Sequence, residues 1–269
     1  MSIPTDTIDK LEDTWYAIAD LCDDLTEAQW KLPSDLPGWT VQDNLSHLIG
    51  TERALQGLPV TEHRAETKPW VRNPIGEATE HEIDVRRGHS GAEVLAEWHE
   101  LIALRLATLR TADDAYFEQP AIMPTGPGTM ADFLHIRVLD AWSHEQDMRR
   151  ALGRPGSLDS PSAAHTIDRL IRTLPIVVGK RAATPEGAAV RIVLTGPVER
   201  DLVYEVIAGR ATLVASPTSA PVAVVSVDSD TFATLALGRR PASALADRIT
   251  IEGDTELGTR VAEQLNMMI

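Results

Sequence analysis

Apolar residues recur every three or four positions through most of the first half of the chain, which is the pattern of amphipathic helices. This periodicity predicts four main helices, at residues 6–30, 41–57, 77–110 and about 130–152, with an interruption of the third near residues 88–91. Because short or medium connections join them, we expect an antiparallel bundle. The core of such a bundle is a usual place for metal sites formed by facing helices.

The pattern changes in the second half. A linker rich in Pro, Gly and Ser at residues 154–161 precedes a helix predicted at 163–178. Short runs rich in Val and Ile, separated by turn residues, then predict strands. These runs lie at 190–194, 202–207, 211–215, 222–227 and 249–251, with helices expected at 230–237 and 254–267. The chain is thus predicted to be α+β, with a helical domain at 1–155 and a small α+β domain with a mostly antiparallel sheet at 156–269.

Two stretches of the helical half lack periodicity. Pro and Gly interrupt residues 57–76, so no long element is expected there. A loop of that length inside a compact domain is usually functional or mobile, and this one can wall a pocket. Residues 111–128 are expected to form a second loop.

Charge and composition narrow the function classes. The net charge of −15 without a basic cluster argues against nucleic acid and against an anionic membrane surface. No apolar run approaches the roughly 18 residues of a membrane span, and the N-terminus does not resemble a secretory signal. The single cysteine, Cys22, excludes an internal disulfide and makes a reducing cytoplasm the expected location. Its apolar helical surroundings predict a core residue.

The stretch Arg137–Gly153 carries the candidate chemistry. It contains no Gly or Pro before its last residue, which predicts one helix capped by Gly153. Asp140 and His144 are four residues apart, so both side chains emerge on one face. A carboxylate and an imidazole at that spacing can share a metal ion, or they can form a salt bridge that faces water.

A histidine on another predicted helix adds to this pair. His47 borders the apolar face of the helix at 41–57 and does not point straight to solvent. Two imidazoles and one carboxylate make a three-ligand site with an open position, which is typical of catalytic rather than structural zinc and also fits Fe²⁺. Spacing alone leaves a structural ion pair or unrelated surface positions as alternatives.

Neighbouring residues have structural interpretations. Trp39 is expected to pack its turn onto the bundle, and Trp142 is expected in the core. Asp147 either orients a ligand histidine or forms a salt bridge with an arginine. Glu145 and Gln146 are expected to face solvent.

Two motifs make the chain resemble the mycothiol-dependent maleylpyruvate isomerase family, part of the larger DinB-like group of metal-binding four-helix bundles. They are L-P-G-W-T-V-Q-D-N-L-S-H-L-I-G-T-E at 36–52 and R-V-L-D-A-W-S-H-E-Q-D-M-R-R-A-L-G-R-P at 137–155. The C-terminal half is similar, more loosely, to the sterol-carrier-like domain that follows the bundle in this family. The segments that carry this likeness are 235–240 and 249–266.

The resemblance implies a metal triad of His47, Asp140 and His144, usually a zinc site. Where the isomerases of this family carry Glu, this chain has Asp140, which is one methylene shorter. The shorter side chain can still bind a divalent metal, and it is the position at which this chain departs from the isomerases of the family.

The resemblance also implies mycothiol, the small thiol of actinobacteria, as cofactor or co-substrate, together with a small electrophilic substrate. Addition, rotation and elimination of the thiol would give cis–trans isomerisation, and addition or displacement alone would give thiol transfer. Arg239 is the candidate cation for an anionic substrate or enolate, with Arg149 and Arg150 as alternatives. The oligomeric state stays open.

Two other function classes remain possible from the sequence. The first is a non-catalytic, zinc-stabilised protein that binds an apolar ligand. The second is a hydrolase that uses metal-bound hydroxide, with Asp147 as the only nearby general base. A closed metal site would indicate the first class, and an open site would indicate an enzyme.

Overall fold

The computed structural model describes residues 3–124 and 126–267. The chain divides into two compact units, Met1–Ser157 and Leu158–Ile269. The first is mainly helical and the second is α+β, so the predicted fold class is confirmed.

The helices of the first unit follow the apolar periodicity. They are α1 (Thr5–Cys22), α2 (Glu27–Trp30), α3 (Val41–Leu55), α4 (Pro74–Asp84), α5 (Gly91–Thr111), α6 (Asp114–Glu118) and α7 (Met130–Leu152). Helices α1, α3, α5 and α7 form the bundle, in which α1 and α3 each contact α5 and α7. Fully buried aromatic and aliphatic side chains fill its core, including Trp15 and Trp98, whose ring centroids lie 6.1 Å apart.

Polar caps fix where the long helices begin. Thr40, Ser90 and Thr129 each accept a hydrogen bond from the backbone N–H three residues later, and the acidic residue at that position bonds back. Helix α7 ends at Gly153, whose φ of 64° lies in the left-handed region that glycine adopts without strain. The helix that carries the candidate triad is therefore defined at both ends by its own sequence.

The connections differ from the sequence expectation in one place. The helical stretch predicted at 77–110 is two helices, α4 and α5, with the expected interruption, because Ser90 starts a new helix. Residues 111–128 are not a plain loop, because they contain α6 and a hairpin of β1 (Pro120–Met123) and β2 (Gly126–Thr129). Residues 56–73 carry no helix or strand, as expected.

The second unit is built on one five-stranded sheet. Its strands are β3 (Ala189–Thr195), β4 (Arg200–Ile207), β5 (Arg210–Val214), β6 (Ala223–Asp228) and β7 (Ile249–Gly253). The order is β5-β4-β3-β6-β7, and every pair is antiparallel except β3 and β6. The mostly antiparallel sheet matches the sequence expectation.

Two of the three helices of this unit, α8 and α10, are shorter than predicted. They are α8 (Pro161–Ile171), α9 (Ser229–Ala236) and α10 (Thr255–Glu263), with a π-helical turn at Ile176–Arg181 and a 3₁₀ segment at Ala242–Arg248. The predicted helix at 163–178 ends early because Pro175 has no N–H to continue it. Among the described residues, no helix has both the length and the apolar character needed to cross a bilayer.

Candidate metal centre

The three predicted ligands meet inside the bundle of the first unit. His47 lies on α3, and Asp140 and His144 lie on α7. The Nε2 atom of His47 is 3.2 Å from Oδ2 of Asp140, and Nε2 of His144 is 3.6 Å from Oδ1. One potential ligand atom from each residue lies within 4.8 Å of the others, which is close enough to hold one ion. Their role as ligands stays a prediction.

A hydrogen bond from α3 fixes the orientation of His144. The Asn44 amide nitrogen donates to the Thr40 carbonyl at 2.8 Å, so the other amide atom, Oδ1, is an acceptor. This oxygen lies 2.8 Å from Nδ1 of His144, which must therefore carry the proton. In a neutral ring the lone pair is then on Nε2, the atom that faces Asp140. Such a bond to the far nitrogen is typical of metal-ligating histidines.

The His47 ring fits the same arrangement. Its Nδ1 is buried and has no hydrogen-bond partner among the described residues, whereas Nε2 faces the carboxylate. Burial lowers the pKa of His47 despite the opposing effect of Asp140, which favours the neutral ring. Because neutral imidazoles are the form that binds metal ions, the donor set suits a divalent cation.

Asp140 stays ionised although it is partly buried. Burial alone would raise the pKa of its carboxyl, but the Arg137 guanidinium and the two imidazoles hold that pKa well below its usual range. Nη1 of Arg137 donates to Oδ2 of Asp140 at 2.7 Å. The other oxygen, Oδ1, faces His144, so Asp140 presents a charged acceptor to the centre of the triad.

Further buried charges hold Arg137 in place. Its Nε donates to Oε1 of Glu52 at 2.7 Å, and Nε of Arg105 donates to Oε2 of the same carboxylate at 3.0 Å. The side chains of Glu52 and Arg105 are fully buried. Periodicity could not find this network, because its members come from three different helices and each would be expected on a polar face.

Asp147 combines the two roles considered for it. Its Oδ2 is 3.4 Å from Nδ1 of His144, and its Oδ1 accepts from Nη2 of Arg150 at 2.6 Å. Burial alone would lower the pKa of His144, but Asp140 and, to a smaller extent, Asp147 leave that pKa raised. Arg150 is tied further to Asp35 at 2.9 Å, so its charge is already paired.

The expectation that Glu145 and Gln146 face solvent is wrong, because both are buried. The segment that follows α7 folds back and covers them. The Gln146 amide donates to the Gly156 carbonyl at 3.1 Å, and the buried Trp142 indole donates to the Ser157 carbonyl at 3.0 Å. Trp142 is therefore a core residue, as expected.

The candidate cations have different surroundings. Arg149 donates to Glu145 at 2.7 Å within α7, so it holds a structural pair. Arg239 lies in the second unit, just after α9, where its Nη1 donates to the Leu237 carbonyl at 2.9 Å. Its role as the catalytic cation stays a prediction.

A cavity of about 560 Å³ opens beside His47 in the first unit. Its walls come from α3, α4 and the irregular connection between them, including Ala54, Ile75 and Arg64. That volume is in the usual range for small-molecule sites. The connection therefore walls a pocket, as the sequence suggested.

The chain is thus a two-domain protein. Its helical bundle carries a His–Asp–His cluster as a candidate metal centre, and an α+β unit follows the bundle. The family model of the mycothiol maleylpyruvate isomerase N-terminal domain matches residues 11–149, more than half of the chain. That of the SCP-2 sterol transfer family matches residues 168–266. The chain belongs to the mycothiol maleylpyruvate isomerase family, with a sterol-carrier-like C-terminal domain, and the predicted resemblance is confirmed.

Two solved structures share the fold of this chain. A crystal structure of the mycothiol-dependent maleylpyruvate isomerase aligns with a TM-score of 0.59 and 17% identity, over 94% of this chain and 96% of that chain. A mutant of the same enzyme aligns with a TM-score of 0.58 and 16% identity, over the same shares. At these identities the likeness shows the fold alone.

The curated relatives are uncharacterized proteins from two strains of Mycobacterium tuberculosis. Each is 27% identical over 149 residues, which cover 51% of this chain and 53% of the relative. The match thus spans about half the length of these relatives.

Proposed function

We propose that the protein is a metal-dependent enzyme that uses mycothiol, either for thiol-assisted cis–trans isomerisation of a small electrophile or for thiol transfer to it. The observation that carries this proposal is the convergence of two imidazoles and one carboxylate on one point of the bundle. Membership of the mycothiol maleylpyruvate isomerase family supports the choice of thiol.

We propose Zn²⁺ as the ion, because two imidazoles and a carboxylate with an open position form the usual donor set of catalytic zinc. When bound there, the ion would lower the pKa of a thiol and so supply a thiolate at neutral pH. His47, Asp140 and His144 would hold it. Asn44 keeps the lone pair of His144 directed at it, and Arg137 keeps Asp140 ionised.

The protein's own thiol is unsuited to the chemistry. Burial raises the pKa of Cys22 to about 12, and the side chain is 1% exposed. A nucleophilic thiol must therefore come from a small molecule, and the cavity beside His47 offers room for one.

The hydrolase alternative is less well supported. A general base must accept a proton from water. The fully buried Asp147 carboxylate already accepts a hydrogen bond from the Arg150 guanidinium and lies beside His144, so it is poorly placed for that role. Among the described residues, the cluster that could hold an ion consists of the three triad residues alone. Three protein ligands leave a coordination position open, which favours a catalytic site over a purely structural one.

Metal analysis tests the triad. We expect about one divalent ion per chain in the purified protein, and loss of that ion in His47→Ala and in His144→Ala. His63→Ala is the matched control, since His63 pairs with Asp84 and is not one of the three clustered residues. Full metal occupancy in both triad variants would show that the assignment is wrong.

Ligand-induced stabilisation tests the thiol. Mycothiol at 100 times its Kd should stabilise the metal-loaded protein by about 2.7 kcal/mol, seen as a rise in Tm. No rise in Tm at saturating mycothiol would contradict the proposed cofactor.

The variant Arg239→Ala tests the candidate cation. It should keep the metal content and lower the rate at which mycothiol reacts with a carboxylate-bearing electrophile.

A further inference from the structure

The indole of Trp39 covers both histidines of the candidate centre. Its ring centroid lies 5.4 Å from that of His47 and 5.7 Å from that of His144, and the planes of Trp39 and His144 are inclined by only 27°. The two imidazoles are themselves 4.6 Å apart. Any change in the Trp39 ring position would therefore remove a wall against which both imidazoles are held.

A buried carboxylate on α4 fixes this indole. Oε1 of Glu80 accepts the Nε1–H of Trp39 at 2.7 Å and the Nε1–H of Trp70 at 2.8 Å. Its Oε2 accepts from Nη2 of Arg87 at 3.1 Å. Glu80 is 3% exposed, and a carboxylate buried to that extent needs such donors, because an unpaired buried charge costs several kcal/mol.

Trp70, the second indole that Glu80 binds, packs against the turn that precedes Trp39. Its six-membered ring lies against Gly38, where a Cβ atom would come within 2.3 Å of the ring. Gly38 also has a φ of +74°, which favours glycine. The turn before Trp39 and the connection that carries Trp70 are thus packed together, and Glu80 binds the indole of each.

We propose that Glu80 is a positioning residue of the candidate metal centre. Its oxygens bind the two indoles and Arg87, and it acts through Trp39, whose ring it holds against His47 and His144. The proposal rests on the proposed function, because it assigns Glu80 a role toward the ion that these histidines would bind. Side chains that support metal-binding histidines hold the imidazole rings in the orientation that the ion needs, so the rings have less freedom to lose when the ion binds.

Three variants separate positioning from general stability. Glu80→Leu removes both acceptor oxygens at similar volume, whereas Glu80→Gln keeps one carbonyl oxygen for the indoles. Glu66→Leu is the matched control, because Glu66 lies in the same region and its side chain is 94% exposed. Circular dichroism and Tm establish that each variant is folded.

The first measurement uses the metal-free protein. The indole ¹⁵N–¹H resonances of Trp39 and Trp70, assigned with Trp39→Phe and Trp70→Phe, should shift in Glu80→Leu and stay in place in Glu66→Leu. The second measurement is the Kd for Zn²⁺ and the absorption spectrum of bound Co²⁺. Glu80→Leu should bind Zn²⁺ about tenfold more weakly and change the Co²⁺ spectrum, and Glu80→Gln should recover most of the affinity.

The outcomes are distinct. A wild-type protein that binds no Zn²⁺ would overturn the proposed function. Tight binding by the wild type with an unchanged Kd in folded Glu80→Leu, or unchanged indole resonances, would overturn the role of Glu80 alone. If Glu80→Leu does not fold, Trp39→Phe decides, because it deletes the donor that Glu80 holds and should weaken Zn²⁺ binding in the same way.

Discussion

At the scale of single residues, the centre depends on charges that are fully removed from water. Glu52 lies between Arg105 and Arg137, and both guanidinium groups have one buried nitrogen, Nη2, without a partner among the described residues. Burying ions is costly, and such clusters persist where they are paired and hydrogen-bonded. Here the result is that Arg137, and through it Asp140, has little freedom to rotate.

Cys22 gives a direct test at this scale. With its pKa raised to about 12 by burial, the thiol stays protonated at neutral pH and is inaccessible. In the folded protein at pH 8, Cys22 should react with a disulfide reagent at least about 100-fold more slowly than in denaturant. Equal rates in the two states, followed by absorbance, would contradict the buried thiol and reopen an internal nucleophile.

At the scale of helices, a bidentate ion pair joins the turn after α4 to α5. Nε and Nη2 of Arg86 donate to the two oxygens of Glu97, each at 2.7 Å. Burial alone would raise the pKa of Glu97, but Arg86 holds it below its ordinary value of 4.5. The pair therefore stabilises the fold above about pH 4.5 and loses this effect as the pH falls through the lower folded value.

Glu97→Gln tests this connection. We expect the free energy of unfolding at pH 7 to fall by about 1–2 kcal/mol, measured by urea denaturation. The difference from the wild type should be smaller at pH 3, because that pH lies below the ordinary value of 4.5, where the unfolded chain takes up the proton. Glu100→Gln, an exposed position on the same helix, should change little. A difference that is equal at both pH values would show that Glu97 acts through packing rather than charge.

Helix α7 shows what can be predicted for one element and what cannot. Its range of 130–152 follows from the Thr129 cap and Gly153, both of which are local signals. The burial of Glu145 and Gln146 was missed, because the chain returns over them after the helix ends. Likewise, Glu80 carries no periodic or motif signal for its role, since its partner Trp39 lies 41 residues away and Trp70 lies in a connection without helix or strand.

At the scale of the whole molecule, the sequence predicts the α+β class and two-domain order because composition and periodicity change together. The spacing of Asp140 and His144 and the position of His47 left a metal triad as one alternative, and the family motifs made it the favoured prediction. The hairpin at 120–129 escaped prediction, since Gly and Pro in short strands read as loop. Its strands pair with each other in register, which only the folded chain shows.

We expect the first unit to fold on its own. Its main core cluster draws entirely on residues between Ile8 and Leu152. We propose that residues 1–157 expressed alone fold cooperatively, with helical circular dichroism and a single thermal transition, and bind one Zn²⁺. A fragment that is unfolded, or folded without binding the ion that the full chain binds, would show that the second unit is needed for the centre.

The distance along the chain between the triad members has a consequence for assembly. His47 and Asp140 are 93 residues apart, so an ion bound by both would close a long loop between α3 and α7. Closing a long loop removes conformational freedom mainly from the unfolded chain. The ion that we propose as the reaction centre would then also act as a reversible cross-link, comparable in effect to a disulfide that this single-cysteine chain cannot form.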